Sequence, residues 1–94
     1  MITAVVLISA ERKAIPTLGE ALAAVEGVSE VYSVTGDIDL VAIVRVAGDQ
    51  DLPGVVPNGI AKVPGVEKTE TLIAFEVYSK HDLERLFSIG FEEG

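Results

Sequence analysis

The chain has 94 residues, with 7 Lys and Arg against 15 Asp and Glu and a formal net charge of −8. A single domain of this size buries only somewhat over ~60% of the surface its unfolded chain exposes, so association with a partner would strengthen it. The negative charge repels phosphate backbones and argues against direct contact with DNA or RNA, and the lack of cysteine excludes disulfides, thiolate metal sites and a cysteine nucleophile.

Residues 2 to 10, "ITAVVLISA", are β-branched and aliphatic on both alternating faces, which predicts a central strand covered on both sides. With no basic region ahead of an apolar run of about nine residues, this start reads as a strand rather than a signal peptide or membrane span, and a cytoplasmic protein is expected. From Pro16 to Val25 the apolar residues Ile15, Leu18, Leu22 and Val25 recur at helical spacing, with Pro16 suited to the first turn and Gly27 to the stop. Residues 29 to 35 predict a strand of mixed polarity, an edge, and residues 39 to 47 a strand apolar on both faces except for Arg45.

The segment 50 to 63 has Leu52, Val56, Ile60 and Val63 near helical spacing but also Gly54, Pro57, Asn58 and Gly59. An interior proline costs ~3 kcal/mol or more and each interior glycine up to ~1 kcal/mol, so this helix is expected to be shortened, kinked or partly irregular. Residues 67 to 78 alternate as a second edge strand, and residues 79 to 94 predict a short helix with Leu83, Leu86 and Phe87 on one face. The domain proper is thus expected over 1 to 78, with 79 to 94 as its helical extension.

The order is β-α-β-β-α-β plus a tail, and "AVEGVSEV" at 24 to 31 rhymes with "KVPGVEKT" at 62 to 69, their glycines 38 residues apart. That duplication predicts an α+β, ferredoxin-like sandwich with the first and third strands central and helices on one face. The other face would leave several hundred Å² of apolar surface exposed in a monomer, which a symmetric dimer packing sheet on sheet would cover.

Within this frame the stretch Thr35-Gly36-Asp37-Ile38-Asp39-Leu40 places two carboxylates at the junction of an edge and a central strand. Turn chemistry alone explains Gly36-Asp37, and a ligand contact is the rival reading, with Asp37 the better turn residue and Asp39 the better contact. A two-carboxylate metal site lacks further ligands at suitable spacing. Thr69 and Thr71 suit a strand by propensity as well as they suit a contact. His81 beside Asp82 reads as solvated rather than catalytic, and Arg45 as either an edge-facing charge or one member of an interface ion pair.

The residues "VTGDIDL" at 34 to 40, with the approach "VEGVSEVYSVTG" and the entry "VPGVEKTETLI" to the last strand, resemble the effector-binding (RAM) domain of the Lrp/AsnC transcription regulators over residues 2 to 78. The resemblance implies a homodimer through the sheets and assemblies from tetramer to octamer, with small effectors, commonly amino acids, at interfaces between dimers. It carries an effector site onto Gly36, Asp37, Ile38 and Asp39 and onto Thr69 and Thr71. Set beside that family, a chain that starts directly on the first strand is expected to be a stand-alone module lacking the DNA-reading domain, with a full-length regulator as a further partner; no cofactor is expected, and its charge, ligand spacing and N-terminal run argue against nucleic acid, metal and membrane. Exposed backbone N–H groups at the glycine turn would meet a carboxylate, and Asp37 or Asp39 an ammonium. The alternative is a small dimeric α+β-barrel enzyme of monooxygenase or isomerase type. Its chemistry would have to come from one His, one Asn and two Tyr, which do not assemble into an acid, base and nucleophile.

Overall fold

The computed structural model describes residues 1–80. The predicted tail helix, with Leu83, Leu86 and Phe87, and His81 lie outside the described residues. The elements are β1 (Ile2–Ala10), α1 (Ile15–Ala23), β2 (Val28–Ser33), β3 (Leu40–Val46), α2 (Leu52–Val55) and β4 (Val66–Ile73), joined in part by single 3₁₀ turns at Arg12–Ala14, Asp49–Asp51 and Ile60–Lys62. The four strands form one antiparallel sheet in the order β2-β3-β1-β4, so the two most apolar strands are central and the two mixed ones are edges. This is the α+β, ferredoxin-like arrangement expected from the duplicated pattern.

Burial alternates along β1 and β3 because successive side chains point to opposite faces. Ala4, Val6, Ile8 and Ala10 join Leu40, Ala42, Val44 and Val46 in a buried layer under the helices, closed by Leu18 and Leu22 of α1 and by Val55, Val56 and Ile60. On the opposite face Val5, Leu7, Val41 and Ile43 are only half-buried, flanked by Tyr32 and Leu72 at 49% and 48% exposure. The apolar character of both faces of β1 and β3 therefore fills a core on one side and, among the described residues, forms an uncovered surface on the other. Among the described residues no helix is long and apolar enough to cross a membrane.

The second helix is shortened and irregular as expected, and two other boundaries differ from expectation, each for a local reason. The helix predicted for 50 to 63 is reduced to the four residues Leu52–Val55, with Pro53 in its first turn and a separate 3₁₀ turn after Gly59. A Cβ on Gly59 would stand 2.5 Å from the Val55 carbonyl oxygen, so glycine permits the chain to fold back against the helix end. The last strand ends at Ile73 rather than at 78. Its partner β1 begins at Ile2, and the final bond of the ladder runs from the Ala74 N–H to the Thr3 carbonyl at 2.9 Å. The turn between β2 and β3 is a six-residue loop, 34 to 39, rather than a tight hairpin.

Candidate functional site

The loop 34 to 39 is pinned at its far end by Asp39. Its backbone N–H donates to the Ile8 carbonyl at 2.9 Å, and its carbonyl accepts from the Val34 N–H at 3.0 Å. Its carboxylate oxygen Oδ2 accepts the Ala10 N–H at 2.9 Å. One aspartate thus closes the loop and anchors it to the end of β1, with the second carboxylate oxygen left out of these bonds. Gly36 sits at φ +113°, in the left-handed region that disfavours any side chain, although no heavy atom lies within 4 Å of where a Cβ would be. The glycine is required by the backbone path and not by crowding.

Between this loop and the start of α1 lies an open cleft of about 550 Å³, lined by Arg12, Ile15, Pro16, Val34, Thr35, Gly36 and Asp39. That size falls in the ordinary range for small-molecule sites, ~300–1,000 Å³. The chain forms it because β1 ends, α1 begins and β2 turns into β3 all at the same end of the sheet. Pro16 in the first turn of α1 fixes where the helix starts and sets its apolar end as one wall. The cleft carries a guanidinium, a carboxylate, a glycine turn and the apolar side chains Ile15, Pro16 and Val34.

Of the six expected site residues, the cleft brings together Gly36 and Asp39. Asp37 is exposed on the loop and Ile38 half-buried, and neither lines the cleft. Thr69 and Thr71 stand on β4 opposite Ile8 and Val6, two strands away from β3, roughly 10 Å across the sheet. Arg12, Ile15 and Pro16 were not among the expected residues. Their signal was topological, since a β-α-β-β order puts the first strand-to-helix connection beside the second hairpin.

A second depression, about 580 Å³, lies at the other end of the sheet between Gly27, Arg45, Asp51 and Val55. Its Arg45 guanidinium is 3.6 Å from the Glu30 carboxylate, with both side chains about 40% exposed (42% and 44%), an ion pair of small energetic weight. Among the described residues no three His, Asp or Glu converge as a metal site would require. Tyr32 donates its phenol O–H to Glu30 at 2.6 Å, and that bond to a carboxylate raises its pKa above the ordinary 10.0. Tyr78 is likewise raised by donating to Glu76. Phenols held protonated in this way are poor general bases at neutral pH.

The model of the Lrp/AsnC ligand-binding domain matches residues 3–83. An HTH-type transcriptional regulator of Pyrococcus horikoshii, PH1692, is 33% identical over 76 residues, 81% of this chain and 51% of that protein. The chain spans about half the length of the curated relatives it matches. Among solved structures, TTHA0845 from Thermus thermophilus is 51% identical with a TM-score of 0.79, covering 85% of this chain and 100% of that one. The feast or famine regulatory protein of M. tuberculosis, solved in complex with L-methionine, is 28% identical with a TM-score of 0.69, covering 85% of this chain and 54% of that one. PH1692 is a transcription regulator and the M. tuberculosis protein a regulatory protein, not enzymes, and the chain belongs to the Lrp/AsnC ligand-binding domain family.

Proposed function

We propose that this chain is a sensor module that binds a free amino acid in the cleft between the 34–39 loop and the start of α1. The observation that carries this reading is that Arg12 and Asp39 line one cleft together with an apolar wall. The guanidinium presents fixed donors to an α-carboxylate. The Asp39 carboxylate, with one oxygen already committed to Ala10, offers its other to an α-ammonium. Ile15, Pro16 and Val34 would receive an apolar side chain. The M. tuberculosis relative complexed with L-methionine supports the ligand class. Gly36 keeps the loop close, whereas Asp37, Ile38, Thr69 and Thr71 would contribute only through a neighbouring copy closing over the cleft.

The module acts as a homodimer or larger ring, packed through Val5, Leu7, Val41 and Ile43 on the open sheet face. It couples ligand occupancy to a full-length regulator of the family by co-assembly, so that ligand shifts the regulator's assembly by mass action. The open apolar face supports the first step, because surface of that kind on a small domain marks an interface. The test is a thermal-shift screen of the twenty amino acids on the natural chain and on Arg12→Ala, with light scattering in parallel. At least one amino acid should raise the melting temperature, and Arg12→Ala should lose the shift while keeping the oligomer mass. A chain stabilised by none of the twenty, or an Arg12→Ala variant that responds like the natural chain, contradicts the site. Arg12 is the better probe than Asp39, whose removal would also free the Ala10 N–H.

A further inference from the structure

The cleft between the 34–39 loop and the start of α1 does not end at the helix. Two of its lining residues, Ile15 and Pro16, also line a groove of about 410 Å³ that runs on between α1 and β2. The topology creates this continuation. β2 is an edge strand, and its Val31 and Ser33 stand opposite Ala42 and Leu40, on the side of the sheet that carries the core and α1. The groove is apolar apart from Glu20 and Ser33, both of them exposed.

Gly19 stands on this groove in the interior of α1. Glycine weakens a helix interior relative to alanine, because it loses more backbone freedom on folding. The chain's own packing does not call for it. Its φ is not positive, and beyond its own helix backbone and chain neighbours no heavy atom lies within 4 Å of where a Cβ would stand. Gly27 and Gly59 are the contrast, since a Cβ on either would collide at 2.5 Å. A glycine with neither a backbone nor a packing reason leaves room for a group that arrives from outside, and Gly19 leaves it on the continuation of the cleft. From Ile15 to Gly19 is about one helical turn, roughly 6 Å along the axis, within reach of an extended aliphatic side chain whose α-carbon is held in the cleft.

We propose that the groove takes the side chain of the amino acid bound in the cleft, that the module selects long aliphatic side chains, and that Gly19 sets the length admitted. The proposal rests on the cleft reading above and adds the side-chain class. A short side chain stops against Ile15 and Pro16 and leaves the groove to water, so it gains little from apolar burial. A long one continues between α1 and β2, past the space that a larger residue at 19 would fill. An acidic side chain is disfavoured, because its charge would leave water for an apolar lining and meet Glu20 at the rim.

A homologous series with identical charged ends tests this on the full chain: alanine, 2-aminobutyrate, norvaline and norleucine, measured by calorimetric binding. Each added methylene that enters the groove should tighten binding about fourfold, so norleucine should bind on the order of sixtyfold more tightly than alanine. Glutamate should bind no more tightly than alanine. Gly19→Leu places a good helix former at the site and should melt no lower than the natural chain. It should weaken norleucine at least about tenfold while leaving the two short members within about twofold. If the series binds in an Arg12-dependent way but does not tighten with length, or Gly19→Leu leaves norleucine's affinity in place, the groove inference is wrong and the cleft stands. Equal loss of short and long members in a folded Gly19→Leu chain also contradicts it, because the substitution would then act on the cleft and not on length. If none of the series binds, or norleucine binds Arg12→Ala as it binds the natural chain, the cleft reading fails and the groove inference with it.

Discussion

The two halves of the duplicated fold differ in their helices. The first half has the nine-residue α1, whose Leu18 and Leu22 are buried against the sheet. The second has the four-residue α2 and a 3₁₀ turn, which cover β4 so poorly that Ile73, on the helix-bearing side, is 56% exposed. The turns that follow the helices nevertheless agree. Gly27 and Gly65 both lie at positive φ, +97° and +103°, and each packs against the opposite half, Gly27 on Val55 and Gly65 on Ala14 and Leu18. The duplication is kept where the backbone must reverse and the halves must meet. It is lost where Gly54, Pro57 and Gly59 interrupt the helix. What the second half gives up in cover leaves β4 and the segment after it with apolar surface to offer elsewhere.

The largest expected difference between the halves is in the core. Leu22→Ala should destabilise the chain by about 2–5 kcal/mol, the usual cost of truncating a fully buried leucine. Val55→Ala in the broken half should cost roughly 1.5 kcal/mol, from the smaller apolar loss and the nearby irregular backbone that can close over it. Urea unfolding of both variants measures the contrast, and equal losses would mean that the short helix contributes as much as the long one.

The turns come next. Gly27→Ala must adopt the left-handed region, a cost of ~1–2 kcal/mol. It must also displace Val55, whose Cγ2 would be 2.5 Å from the new methyl. Gly65→Ala has the same backbone cost, but its closest neighbour is the Ala14 Cβ at 3.3 Å. Gly27→Ala should therefore be the worse of the two by roughly 1 kcal/mol, the lower end of overpacking costs. Equal melting temperatures would show that Val55 moves aside freely.

The smallest effect is in titration. Tyr32 is raised above its ordinary value chiefly by its hydrogen bond to Glu30, so it favours the protonated form in the folded chain. Its linkage contribution is then complete below pH 10, the unfolded value, and is lost as pH rises through the higher folded value. Glu30→Gln should bring the phenolate absorbance transition of Tyr32 back toward 10 while leaving that of Tyr78, which depends on Glu76, in place.

Much of the fold was legible in the sequence because burial has a period. The unbroken apolar runs of β1 and β3 marked the central strands, and the mixed runs of β2 and β4 marked the edges. Gly54, Pro57 and Gly59 announced a broken helix, because each acts on its own backbone. The end of β4 was not legible. Residues 74 to 78 alternate as well as any strand, and only the length of its partner β1 decides where pairing stops. Asp39 and Gly36 stood out from the loop sequence. Arg12 did not, since its place in the same cleft as Asp39 depends on how the connection after β1 folds beside the 34–39 loop and not on spacing along the chain. The anchoring bond from the Ala10 N–H to Asp39 was hidden for the same reason, joining residues 29 apart.

The central claim is that one cleft reads both charges of a free amino acid, through Arg12 and Asp39. The most direct measurement is calorimetric binding of the amino acid that most stabilises the chain, compared with its carboxamide and its N-acetyl derivative. A charge-assisted hydrogen bond is worth ~1.5–3 kcal/mol, so each blocked derivative should bind at least about tenfold more weakly. The carboxamide should lose little further affinity in Arg12→Ala. Derivatives that bind as tightly as the free amino acid, or a carboxamide whose affinity still depends on Arg12 as strongly as the parent's, would contradict the account.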